Sequence, residues 1–216
     1  LIRYGVVNGY KTVFITEKSN LFSDLYRDML DINYTDAVAF IFNNDDKSEL
    51  TVEVNGTVVS MREYSGNPLF SIFSNQKQQA RLIEGETDLP DGYHFLMTTY
   101  SQLQYDNKAR RAAAEKNRRR IKPSKNPQFK TAFLREYAKG AIFIMDEAHN
   151  AGGSDSNTGF YIREILATAK GCCYLSATYA KNASNLPLYA IKTSIKEAGL
   201  DDKKLTNTFE RGGEAL

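Results

Sequence analysis

The stretch from Ala141 to Asn150 constrains this chain more than any other. Ala141, Ile142, Phe143, Ile144 and Met145 run without a charge, and Asp146, Glu147, Ala148, His149 and Asn150 follow at once. Five consecutive apolar residues read as a strand buried on both faces, as in a parallel sheet covered by helices on each side. Polar groups at the carboxyl end of such a strand lie where open α/β sheets receive their ligands. A second apolar run, Cys172 to Leu175, ends in Ser176, Ala177 and Thr178. Between the two, Thr158 to Lys170 has helical spacing, so strand, crossover helix and strand make one parallel unit.

The rest of the chain extends that unit. Leu1 to Asn8 reads as a helix closed by Gly9, ahead of a strand over Thr12 to Thr16. A helix over Leu21 to Leu30 follows, with Asn20 as its expected cap, and then a strand over Ala37 to Phe42. Leu50 to Val54 and Thr57 to Met61 alternate around Asn55 and Gly56, a β-hairpin signal read as an insertion on the sheet edge. Pro68 to Ile83 has an imperfect amphipathic pattern, Tyr93 to Met97 reads as another strand, and Phe129 to Tyr137 as the helix leading to Gly140. Asn185 to Gly199 is helical in pattern, whereas Lys203 to Leu216 is polar and poorly periodic. The fold class expected is α/β, with a mainly parallel sheet flanked by helices.

Two adjacent acids at a strand end can divide labour. One holds a magnesium ion directly or through its waters, and the other orients and deprotonates an attacking water. His149, two positions on, can report what occupies the site. A nucleotide site also needs a glycine-rich turn with a lysine. Gly5, Gly9, Lys11 and Thr12 offer a decoy, because Tyr10 separates the glycine from Lys11 and a strand follows instead of a helix. That stretch is assigned to structure.

A strand ending in Asp146, Glu147, Ala148 and His149, followed by one ending in Ser176, Ala177 and Thr178, resembles motifs II and III of superfamily 2 helicases and translocases. The closer resemblance is to the strawberry notch type of helicase-like ATPase. It rests on Ser176 to Asn182 with Asn185 and Tyr189 behind, on Thr99, Tyr100 and Ser101, and on Phe209 to Ala215. The resemblance implies a RecA-like P-loop NTPase lobe over residues 1–200, lacking its phosphate loop, with insertions at about 43–92 and 105–130. Residues 201–216 become a connector toward a second motor lobe. ATP and magnesium are the implied ligands: Asp146 coordinates magnesium through water, Glu147 is the base that positions the attacking water, and His149, Ser176 and Thr178 couple nucleotide state to DNA. The helix at Leu1 would then follow a phosphate-binding loop upstream, and this polypeptide taken alone is expected to be inactive.

Nucleic-acid contacts are implied at two further places. Thr16, Lys18 and Ser19 occupy the position of family motif Ia, and Thr98, Thr99 and Ser101 that of the first lobe's other hydroxyl cluster. Hydroxyls there position a phosphate backbone without reading its sequence. Capping and solvation account for the first group equally simply; at the second the alternative is a helix N-cap by Thr99 or Ser101, and contact with DNA is the favoured reading. DNA is the expected partner, with RNA not excluded, in a phage or mobile-element context.

The net charge is only +2, yet Lys108 to Lys125 holds nine Lys or Arg against the single acid Glu115, so the remainder is net acidic. Arg118, Arg119 and Arg120 make the densest part of this patch. It suits phosphate-backbone tracking, and it offers the alternative of a non-catalytic DNA-docking module that needs no ATP. Basic runs are also often solvated, and few aromatics are interleaved here for base stacking. A third reading, a metal-dependent hydrolase or nuclease using Asp146, Glu147 and His149 as direct ligands, suffers because those residues crowd one turn. Cys172 and Cys173 are adjacent within a strand and read as reduced core residues. No apolar run approaches bilayer length, and the cytoplasm is the expected address.

Overall fold

A computed structural model describes residues 1–34, 36–42, 51–54, 57–60, 86–103, 128–151, 156–176, 183–195, 199 and 201–210. Five strands form one all-parallel sheet: β1 (Thr12–Thr16), β2 (Ala39–Phe42), β5 (Phe95–Thr99), β6 (Ile142–Asp146) and β7 (Gly171–Leu175), in the order β2-β5-β1-β6-β7. Strands β3 (Thr51–Val54) and β4 (Thr57–Ser60) pair antiparallel with Val54 opposite Thr57. They form a sheet of their own and do not extend the larger one. Residues 55 and 56 between them, and the helix expected over Pro68 to Ile83, lie outside the described residues.

Alternation along the strands sends side chains into two cores, one per face. On one face α1 (Ile2–Val7) and α2 (Leu21–Asp31) place Ile2, Phe22, Tyr26 and Met29 against Phe14, Ile41, Phe95, Met97 and Ile144. On the other, α3 (Gln128–Ala138), α4 (Asn157–Thr168) and α5 (Leu186–Tyr189) cover Val13, Ile15, Leu96, Phe143 and Met145. The buried Tyr161 hydroxyl donates to Thr131 O at 2.9 Å, and Arg135 Nε meets Glu164 Oε1 at 2.6 Å, tying α3 to α4. Ser156 caps α4 by accepting from Gly159 N. Asn20 makes no such bond at α2: its backbone is already helical, so its side chain is not turned back onto the orphan amides.

Two glycines are required locally. Gly9 ends α1 at φ +70°, a left-handed turn that lets the chain reverse into β1. Gly5 lies where α1 crosses β1, and a Cβ there would collide with Thr12 Oγ1.

Several expectations shift. The strand expected at Tyr93 to Met97 runs from Phe95 to Thr99, so Thr98 and Thr99 belong to it and do not follow it. β7 is the last strand in the order among the described residues, with Gly171 to Tyr174 partly buried and Leu175 39% exposed; Cys172 and Cys173 are free thiols, partly buried, and Cys172 packs against the core. The polar tail contains α6 (Asp202–Glu210), which buries Leu205. No helix among the described residues is long and apolar enough to cross a membrane.

Candidate functional site

Because all five strands are parallel, their carboxyl ends share one edge, and the acids stand at the end of β6, next to the central strand β1. Thr16 is in register with Thr99, and Asp146 with Leu175, so one row crosses the sheet at this edge. Asp146, the last residue of β6, receives the hydroxyl of Thr16 on Oδ2 at 3.0 Å. Its backbone carbonyl accepts from Tyr100 Oη at 2.8 Å. Burial, reinforced by the nearby Asp146 charge, raises the Tyr100 phenol far above its ordinary range, so it stays a proton donor.

Glu147 leaves the strand with φ +47°, a conformation that L side chains adopt at a cost of order 1–3 kcal/mol. The turn brings its carboxylate back across the strand end. Ser176, one residue past β7, donates from Oγ to Glu147 Oε2 at 3.3 Å and lies 2.8 Å from His149 Nδ1. His149 Nδ1 is itself 3.2 Å from Glu147 Oε2. A proton on Nδ1 satisfies this triangle: the ring donates to the hydroxyl and the hydroxyl donates to the acid. The imidazole is 8% exposed and the carboxylate 39%, so the ring is a buried support and the acid faces outward. Buried Asn185 holds the histidine's carbonyl from below at 3.5 Å.

The residues expected to touch nucleic acid divide sharply. Lys18 is exposed and Ser19 partly so, on the turn after β1, and Ser101 is exposed. Thr16 and Thr98 are wholly buried, with Thr98 Oγ1 donating to Phe42 O at 2.7 Å. Thr99 is 3% exposed and bonded to the Ser101 hydroxyl at 2.9 Å. Thr16, Thr98 and Thr99 thus spend their hydroxyls on partners within the protein. Thr178, Arg118, Arg119 and Arg120 lie outside the described residues. Reasoning from sequence missed the roles of Thr16 and Tyr100 in fixing Asp146, because nothing in a linear pattern links a hydroxyl to an acid so distant in the chain.

Lys11 sits at the opposite, amino end of the sheet. There it pairs with Asp88 at 2.7 Å beside a cavity of about 310 Å³ lined also by Tyr93, His94 and Tyr137. Its hydrogen bond holds the Asp88 carboxyl below its ordinary value. A lysine committed at that end does not serve phosphates at the other, in agreement with the reading of Gly9, Lys11 and Thr12 as structure.

Among the described residues no three His, Cys, Asp or Glu side chains cluster to hold a metal ion. That donor set, among the described residues, does not fit direct, all-protein ligation. It does fit magnesium held through water, which needs one or two carboxylates with the remaining positions taken by water and phosphate oxygens. Asp146 is half-buried, and no described residue donates to its Oδ1. No protein-family model matches the chain, and no curated protein matches it.

Proposed function

We propose that the chain is the first motor lobe of an ATP-dependent DNA helicase or translocase, a RecA-like unit of the superfamily 2 type. The observation that carries this reading is the meeting of Glu147, His149 and Ser176 beside Asp146. Two strand ends present an acidic pair and a hydroxyl to one place on the carboxyl edge. Phosphoryl transfer asks the protein chiefly for positioning and charge stabilisation, which such a cluster supplies.

In this reading Asp146 would hold, through water, the magnesium ion that accompanies ATP, and that ion would supply charge neutralisation at the phosphates. Glu147 orients the attacking water and accepts its proton, with its carboxylate angled by Ser176. His149 carries changes at the phosphate side to the β7 end, and the exposed Lys18, Ser19 and Ser101 meet DNA. The basic stretch at 108–125 supplies further backbone contacts.

The topology supports the same reading. α2 crosses on one face in moving from β1 toward β2, while α4 crosses on the other face in moving from β6 to β7. α1 shares the face of α2, so a strand feeding it with the usual right-handed crossing would fall beyond β7, beside Glu147 and Ser176. A phosphate loop between that strand and α1 would lie at the cluster.

The test is DNA-stimulated phosphate release from ATP by the parent polypeptide containing these residues, with and without Glu147→Gln. Release that Glu147→Gln lowers at least about a hundredfold supports the reading. Release unaffected by that change overturns it.

A further inference from the structure

We propose that Thr16 is a positioning residue for Asp146: it occupies one carboxylate oxygen so that the other is presented to the metal's water shell. This rests on the motor reading above. The geometry is specific. Thr16 closes the central strand β1, is wholly buried, and donates to Oδ2 at 3.0 Å. Tyr100 holds the same residue's backbone carbonyl at 2.8 Å from the next turn. A carboxylate at a strand end otherwise rotates about its terminal torsion, which is broad and two-fold. With Oδ2 bonded to β1 and the carbonyl bonded to Tyr100, the remaining oxygen of Asp146 has one direction to face.

The bond also has a structural purpose, since a buried hydroxyl without a partner is costly. Structure alone, however, gives Thr16 no influence on metal binding, whereas positioning does. Thr16→Val keeps the side chain's shape and removes the donor. Thr16→Ser keeps the donor and removes the methyl group.

The experiment is a titration of the parent polypeptide carrying bound ATP with Mn²⁺, read by electron paramagnetic resonance of the bound ion. Asp146→Asn, Thr16→Val and Thr16→Ser are compared with the wild type, and far-UV circular dichroism verifies folding. Asp146→Asn is expected to abolish the specific site. Thr16→Val should weaken it about tenfold, the worth of one hydrogen bond to a charged group, and Thr16→Ser should stay within about twofold of wild type. If Thr16→Val fails to fold, Thr16→Ala against Thr16→Ser gives the same comparison. Loss in Asp146→Asn with none in Thr16→Val overturns the positioning role and leaves the motor reading standing, as does equal weakening in the Val and Ser variants. Binding indifferent to Asp146→Asn overturns the metal assignment on which both rest.

Discussion

The hydroxyl of Ser176 lies 2.8 Å from Nδ1 of His149 and within reach of Glu147 Oε2, so a residue at the end of β7 props the turn at the end of β6. Ser176→Ala should leave the fold intact and cost about 1 kcal/mol, a shift of about 2–4 °C in thermal midpoint for a domain of this size. The diagnostic change is at His149, whose Nδ1 proton should exchange faster and move in ¹⁵N-resolved NMR spectra. An unchanged Nδ1 resonance would show that the contact is incidental.

The left-handed backbone at Glu147 sets up a comparison between two variants that both lack the carboxylate. Glycine tolerates φ +47° and alanine does not, so Glu147→Gly should be more stable than Glu147→Ala by about 1 kcal/mol in urea denaturation. Equal stabilities would mean that the turn relaxes once the side chain is gone.

Close approach of α1 to β1 gives a second pair. Gly5→Ala pushes a methyl group into Thr12 Oγ1 and should cost about 1–3 kcal/mol. Thr12→Ala alone opens space, and in the double variant most of the Gly5→Ala penalty should vanish. Additive costs in that double-mutant cycle would rule out the direct clash.

Alkaline pH should unfold the protein early. Burial of its sulfur pushes the Cys172 thiol from 9.0 up to about 12, and burial likewise raises Tyr100, Tyr137 and Tyr174. A folded value above the unfolded one means the contribution is whole below pH 9.0 and is lost as pH climbs through about 12. Urea midpoints should therefore be flat to about pH 9 and fall steadily above it, with phenolate absorbance of these tyrosines appearing only on unfolding. A midpoint that stays constant to about pH 11 would contradict the buried ionisations.

Much of the scaffold was legible from periodicity. β1 has its expected span, Thr12 to Thr16, and β6 differs from its own only at the edges, because both are buried on two sides around an apolar run. The β5 boundaries slipped because Thr98 and Thr99, polar by type, pair inside the sheet as readily as valine does. β7 is only partly buried because its place at the end of the described sheet is decided by topology, which its five residues do not encode. At the site, the acids and Ser176 were visible as strand-end residues. Their mutual bonds were not, since the turn at Glu147 depends on a backbone angle that sequence leaves open.

The order of the sheet also governs how the protein can be made. β1 is made before both of its neighbours, since Val13 pairs with Leu96 on β5 and with Phe143 on β6, so the central strand waits for partners far along the chain. Closing those distant contacts is slow, and until then Val13, Phe14 and Ile15 are an unprotected sticky segment. Production of this chain should depend on chaperone supply and cool expression more than its final stability would suggest.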